Sequence, residues 1–302
     1  MRSRISADGF GRANAIYCII NRDLELATEA KRQGLAVVVD QVLTPDVGLL
    51  LLDERARFPG IEAQDSDDDV YGGIERDKAL WAVADLVLAP AAYTKDAIVR
   101  LGGDAAKVRV VPYGVGDDWL GATPAPEPGR ILFVGSVGLR KGTHYLAHAT
   151  RLLKERGVNC EVVVVGPYDP AAIARPEFQG PQYLGRIPRS RVREEFLRAD
   201  VFVHPSLAEG CAVATLEALA CGLPMVVTPN AGSVVRDGVD GFSVPARDAA
   251  ALAEKLEAII TDREQRGRMS AQAKERARDH SWAAYERRLV EALRELPVPK
   301  VG

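Results

Sequence analysis

Short apolar stretches alternating with amphipathic helical patterns constrain this chain more than any other feature. Residues 15–20, 36–40, 86–89 and 108–111 are nearly continuous in apolar character, and helical patterns at 23–33, 46–58, 73–84 and 94–101 follow them. A strand that is apolar on both faces must be covered on both faces, and helices between successive strands supply that cover. The pattern therefore predicts parallel sheets of the doubly wound α/β type. The alternation resumes with strands at 131–134, 160–165, 201–204 and 225–228. Between the two series lies a stretch carrying Pro124, Pro126 and Pro128, a composition suited to a connection between domains. We expect a partial first domain over residues 1–115, a linker over 116–129, a second domain over 130–280 and a terminal helical segment over 281–302. Ligands of open α/β sheets bind beyond the carboxyl ends of the strands, so a cleft between two such sheets is the expected site.

Two motifs fall at strand ends of the second domain. Residues 131–143 read Ile-Leu-Phe-Val-Gly-Ser-Val-Gly-Leu-Arg-Lys-Gly-Thr, an apolar strand that breaks into a glycine-rich turn before a helix. Such a turn can bring backbone amides close to a ligand, and Arg140 and Lys141 add two cations suited to a diphosphate. The lysine precedes its glycine, so this is not a Walker A loop, and Gly135 and Gly138 leave no Gly-x-Gly. A plain strand–helix turn with two exposed cations fits the segment alone equally well.

The second motif is Pro205-Ser206-Leu207-Ala208-Glu209-Gly210-Cys211-Ala212-Val213-Ala214-Thr215-Leu216-Glu217, continuing to Gly222-Leu223-Pro224. Gly210 is expected to open an apolar helix, with Glu209 beside its free N–H groups and Glu217 about two turns further on. Anionic oxygens at one end and hydroxyls at the other suit a nucleotide sugar. The plain alternative is that Glu209 complements the helix dipole and Glu217 is a solvated helix residue.

Together these motifs resemble the donor site of the family 4 retaining glycosyltransferases, which share the GT-B fold of two doubly wound Rossmann-like domains facing a cleft. The Pro-Ser…Glu-Gly…Glu-Ala…Ala-Cys-Gly-Leu-Pro order matches over some twenty consecutive positions. The resemblance implies that Arg140 and Lys141 grip the donor diphosphate, with Gly135 and Ser136 at the same loop. It implies that Glu209 faces the donor sugar, that Glu217 accepts the ribose hydroxyls, and that the amides of Gly210, Cys211 and Ala212 approach sugar or phosphate. Gly185-Arg186-Ile187-Pro188 matches the loop bordering the nucleobase, making Arg186 and Ile187 candidate contacts. The implied reaction is retaining, hexosyltransferase-type transfer from a nucleoside-diphosphate sugar to a glycan, lipid-linked or small-molecule acceptor, with neither metal nor cofactor. In that family the last helix crosses back to the N-terminal domain, and Trp282, Tyr285 and Leu289 have helical spacing for the contact.

One departure sets further expectations. Residues 15–20 match the family's fourth strand, so the N-terminal domain reads as incomplete, and that strand is expected at a sheet edge open to self-association. No histidine precedes His144, where many members carry one on the acceptor side. A donor-binding but catalytically silent fragment, or a partner subunit of a glycosyltransferase, is therefore the alternative function.

The remaining residues narrow the class. A net charge of −3 gives no reason to expect nucleic acid as a partner. The longest apolar runs fall far short of the ~20 residues of a membrane span, and no signal-peptide pattern opens the chain. Cys18, Cys160, Cys211 and Cys221 form no Cys-x-x-Cys pair, which points to reduced thiols and a cytoplasmic setting, including the inner face of the membrane. Asp65, Asp67, Asp68 and Asp69 lack calcium-loop spacing and read as a flexible acidic loop. His144 and His148 read as helix-face residues, and His204 as a strand-end histidine that is either hydrogen-bonded or in touch with ligand.

Overall fold

The computed structural model describes residues 9–20 and 23–297. The first half runs β1 (Ala15–Ile19), α1 (Leu24–Arg32), β2 (Ala36–Asp40), α2 (Val47–Arg57), α3 (Asp67–Val83), β3 (Leu86–Ala89), α4 (Ala92–Arg100), β4 (Val108–Val110). Its four strands lie side by side in chain order, all parallel. Alternation along the strands sorts the core into two faces. Val37, Val39 and Val87 pack with Leu80 and Trp81, whereas Val38, Leu86 and Leu88 face the opposite way.

The chain continues through α5 (Asp117–Leu120), β5 (Arg130–Val134), α6 (Thr143–Glu155), β6 (Glu161–Val165), α7 (Pro170–Ile173), β7 (Gln182–Gly185), α8 (Arg189–Arg198) and β8 (Val201–His204). It ends through α9 (Val213–Ala220), β9 (Met225–Val227), β10 (Gly241–Ser243), α10 (Ala249–Thr261), α11 (Arg263–Arg278) and α12 (Trp282–Arg294). The six strands are parallel in the order β10-β9-β8-β5-β6-β7. The order reverses between β5 and β8, and the crevice above that switch point is where a doubly wound sheet holds a ligand. The loops carrying both sequence motifs leave the carboxyl ends of these two strands.

The segment 116–129 lies along the second half. Trp119 is buried edge-on to Phe196 at 5.2 Å, and the amides of Ala125 and Glu127 donate to the carbonyls of Leu197 and Arg198. Helix α12 returns to the first sheet, where Tyr285, Leu289, Ala292 and Leu293 cover Val38, Leu86 and Leu88. Trp282 does not share in that contact. It is 47% exposed, and its ring stands perpendicular to that of Tyr285 with centroids 5.4 Å apart.

The halves also meet through α2. Glu54 is fully buried, accepts from His144 Nε2 at 2.8 Å and the Tyr145 hydroxyl at 2.7 Å, and lies 2.7 Å from Arg247 Nε. Phe58 caps the His144 ring at 4.5 Å. Among the described residues, no helix is long and apolar enough to cross a membrane.

Several expectations need correction. The acidic run is helical: Ser66 caps α3 by accepting from the Asp69 amide at 3.1 Å, and Asp67, Asp68 and Asp69 form the first turn. Carboxylates there complement the helix dipole, which outweighs their mutual repulsion. Gly210 does not open α9, which starts at Val213. Glycine is needed at 210 for another reason, since a Cβ there would lie 2.0 Å from the Val42 carbonyl oxygen. Strands β7 and β10 were not apparent from periodicity, being short and partly polar.

Candidate functional site

The glycine-rich turn after β5 is held from three sides. Gly135 N–H donates to the Val165 carbonyl and Val137 N–H to the Pro167 carbonyl, both at 2.9 Å. Gly138 N–H donates to Thr143 Oγ1 at 3.0 Å. Leu139 N–H donates to Glu62 Oε1, a carboxylate from the first half, at 2.8 Å. These four amides are therefore engaged within the protein, and the expectation that the turn's backbone faces a ligand concerns its other amides. Ser136 is exposed at the bend. Gly142 enters α6 with φ 66°, where a Cβ would sit 2.0 Å from the Pro205 carbonyl oxygen. Only glycine allows the two motif loops to approach so closely.

That approach brings Arg140, Lys141 and Glu209 together. Leu207 N–H and Ser206 Oγ donate to the Arg140 carbonyl at 2.8 and 3.0 Å, stitching loop to loop. Arg140 Nη1 lies 2.9 Å from Glu209 Oε1 and also donates to the Ala208 carbonyl at 2.9 Å. Lys141 Nζ pairs with the same Glu209 oxygen, and the Ser206 hydroxyl, whose one proton is shared between this oxygen and the Arg140 carbonyl, lies 2.9 Å from it. Burial pushes the Glu209 carboxyl up, but Lys141 and Arg140 together hold it below its ordinary value. Burial, reinforced by Arg140, depresses the Lys141 ammonium against the pull of Glu209. Two cations against one carboxylate leave a surplus of positive charge at the switch point, where screening by water is weak.

His204 lies beneath this cluster, stacked on Phe133 at 5.2 Å and Phe202 at 6.0 Å. Neither ring nitrogen has a hydrogen-bond partner among the described residues, so it is not the hydrogen-bonded histidine expected. Burial, with Lys141 nearby, lowers its pKa to about 3, and it stays neutral.

Glu217 occupies a separate recess. It is buried on α9 and its Oε1 accepts from Arg189 Nη2 at the start of α8. The Arg189 guanidinium lies 5.0 Å above the Trp119 ring. Together they line a cavity of about 280 Å³ that extends to Gly114 and Trp282. Burial raises the Glu217 carboxyl above its ordinary value, offset in part by Arg189. The solvated-residue alternative for Glu217 does not hold.

The other candidates are more enclosed. Gly210 and Cys211 are buried, and the Thr94 hydroxyl donates to the Gly210 carbonyl at 3.4 Å. Burial raises the Cys211 thiol to about 12. The Ala212 amide donates to the Ala231 carbonyl at 3.1 Å, so it is not open to a phosphate. Arg186 is exposed after β7, and Ile187 packs on the core of the second half. Sequence reading missed Glu62, Ser206 and Arg189. Ser206 stands three residues before Glu209 and Arg189 directly follows the Gly-Arg-Ile-Pro motif, so both had a local signal. Glu62 had none, because its contact depends on how the halves meet. Among the described residues no three His, Cys, Asp or Glu side chains converge as a metal site.

Comparison with known proteins identifies the family and the fold. The family described as "Glycosyl transferases group 1" matches residues 121–276. A D-inositol 3-phosphate glycosyltransferase of Xylanimonas cellulosilytica is 30% identical over 240 residues, 70% of this chain and 57% of that protein. The amylovoran biosynthesis glycosyltransferase AmsK of Erwinia amylovora is 29% identical over 194 residues, 59% of this chain and 48% of that protein. The chain thus spans about half the length of the curated relatives it matches. Among solved structures, sucrose-phosphate synthase of Thermosynechococcus elongatus superposes with a TM-score of 0.75 at 19% identity, covering 97% of this chain and 75% of that one. Anabaena HepE in complex with UDP gives 0.68 at 16% identity, covering 93% and 79%. At these identities the likeness establishes the fold, which is GT-B.

Proposed function

The chain belongs to the glycosyl transferases group 1 family, and from that premise we propose that it moves a sugar from a nucleoside-diphosphate donor to a hydroxyl acceptor, with retention, in glycan or polysaccharide assembly. The observation that carries this reading is the convergence of Arg140, Lys141 and Glu209 at the switch point of the six-stranded sheet. In the reaction the bond between the anomeric carbon and the diphosphate oxygen breaks, the diphosphate leaves with the electron pair, and the acceptor oxygen passes its proton to the departing diphosphate oxygen as it bonds to that carbon. Charge then develops on the departing diphosphate, which is where preorganised cations stabilise a transition state most. Arg140 and Lys141 would exchange part of their pairing with Glu209 for the diphosphate. Glu209 would then be left facing the donor sugar, and Glu217 would accept the ribose hydroxyls. The same kind of donor is bound by a structural neighbour, HepE, in complex with UDP-glucose.

Incubation with UDP-, GDP- and ADP-sugars and a panel of sugar, polyol and lipid-linked acceptors tests the reading. It predicts acceptor-dependent release of one nucleoside diphosphate and a product that keeps the donor's anomeric configuration. An inverted product would overturn retention. Binding of a nucleotide without transfer to any acceptor would favour a donor-binding role alone.

A further inference from the structure

We propose that Arg189 is a positioning residue for the nucleoside end of the donor: by holding one oxygen of Glu217 it aims the other at a vicinal diol. The inference rests on the donor reading above but concerns a residue outside both sequence motifs. Arg189 Nη2 donates to Glu217 Oε1, and no protein donor meets Oε2 among the described residues, while the carboxylate lines the recess beside Trp119. A carboxylate with one oxygen held and the other facing a cavity is suited to accept from paired hydroxyls.

The arginine is itself fixed at two points although its side chain is 66% exposed. Its guanidinium rests over the Trp119 ring, a favourable cation–π arrangement. That ring is pinned edge-on against Phe196. The platform therefore comes from the segment joining the two halves, the cation from α8 and the carboxylate from α9. No stretch of sequence shows these three together.

The charged environment of Glu217 supports the same role. Arg189 and Arg193 approach from α8, Asp118 from α5, Cys221 ends its own helix, and Lys274 of α11 lies against Gly222. Burial and Asp118 favour the neutral carboxyl, and Arg189 opposes them directly. Without Arg189 the carboxyl would take up a proton at higher pH, and a protonated Glu217 is a poorer acceptor for a diol.

The test compares ribonucleoside and 2′-deoxyribonucleoside diphosphates of uracil, guanine and adenine, titrated calorimetrically into the wild-type chain, Arg189→Ala, Arg189→Lys and Glu217→Gln. We expect the wild type to prefer the ribonucleotide on the order of tenfold, as a hydrogen bond to a charged group implies. In Arg189→Ala that preference should fall several-fold, and the pH below which it disappears should move up. Arg189→Lys should recover part of both. An unchanged ribo/deoxy ratio in Arg189→Ala would overturn the proposal while leaving the donor reading intact. Tighter binding in Arg189→Ala would overturn it too, showing that Arg189 blocks the recess. A wild type that binds no nucleotide would remove the donor reading and this inference together.

Discussion

Replacing Glu54 by alanine removes a buried carboxylate that ties α2 of the first half to α6 of the second. Glu54 is 0% exposed, and its Oε1 accepts from both His144 and Tyr145. The substitution leaves a buried imidazole and a half-buried hydroxyl without their acceptor. It also leaves Arg247 with only Asp53, at 2.7 Å, of its two carboxylate partners. Breaking a buried ion pair from one side costs about 3–5 kcal/mol. Arg247 retains Asp53 and is partly exposed, so the lower half of that range is expected. Against a total of ~5–15 kcal/mol for an ordinary domain, this is a large fraction. Urea unfolding followed by tryptophan fluorescence should show a lower midpoint. Because the lost contacts join the halves, the single transition should broaden or divide. Glu54→Gln, which keeps the shape and one acceptor, should lose less. The pH dependence has a definite sign. Burial pushes the carboxyl up, but His144, Tyr145 and Arg247 hold it net below its ordinary value. Its stabilisation is therefore complete above the unfolded value of ~4.3 and is lost as pH falls through the lower folded value. Unfolding free energies within ~1 kcal/mol of wild type in Glu54→Ala at neutral pH would refute the reasoning.

Other outcomes follow from the same geometry. Glu217→Gln should weaken nucleoside-diphosphate binding, whereas Glu209→Gln should leave it nearly intact and lower turnover; equal losses in calorimetric titrations would contradict that division of roles. Strand β1 pairs only with β2 among the described residues, and Tyr17 and Ile19 are exposed along it. Such an edge accepts a further strand, so light scattering should detect self-association that Ile19→Lys reduces. A chain that stays monomeric at all concentrations would show the edge to be already protected.

Much of the fold was legible because the physics was local. Val37, Val38 and Val39 can only be a strand covered on both faces, and β2 and β3 match their sequence patterns residue for residue. Gly222, with φ 67°, ends α9 where the Gly-Leu-Pro run indicated. Arg140, Lys141 and Glu209 were singled out from two separate motifs, and the reversal of strand order between β5 and β8 brings them together. What remained hidden depended on distant partners or on weak composition. The acidic run looked like a solvated loop until Ser66 supplied its cap. Gln182–Gly185 carries too few apolar residues to announce β7. Arg189 and Glu62 matter only through the surfaces they meet, and periodicity says nothing of those. His204 looked like a residue that would find a partner, but two phenylalanines enclose it.

The central claim is that Lys141 and Arg140 hold a donor diphosphate where they now hold Glu209. Isothermal titration of UDP, GDP and ADP into the wild-type chain and Lys141→Ala tests it most directly. In the variant Glu209 keeps Arg140 and Ser206 as partners, so the loop should stay in place and any loss should report on the ligand. The account predicts that one of these nucleotides binds the wild type and that Lys141→Ala weakens it about tenfold or more, the loss of one charge-assisted contact. Equal affinity in the two proteins would contradict it.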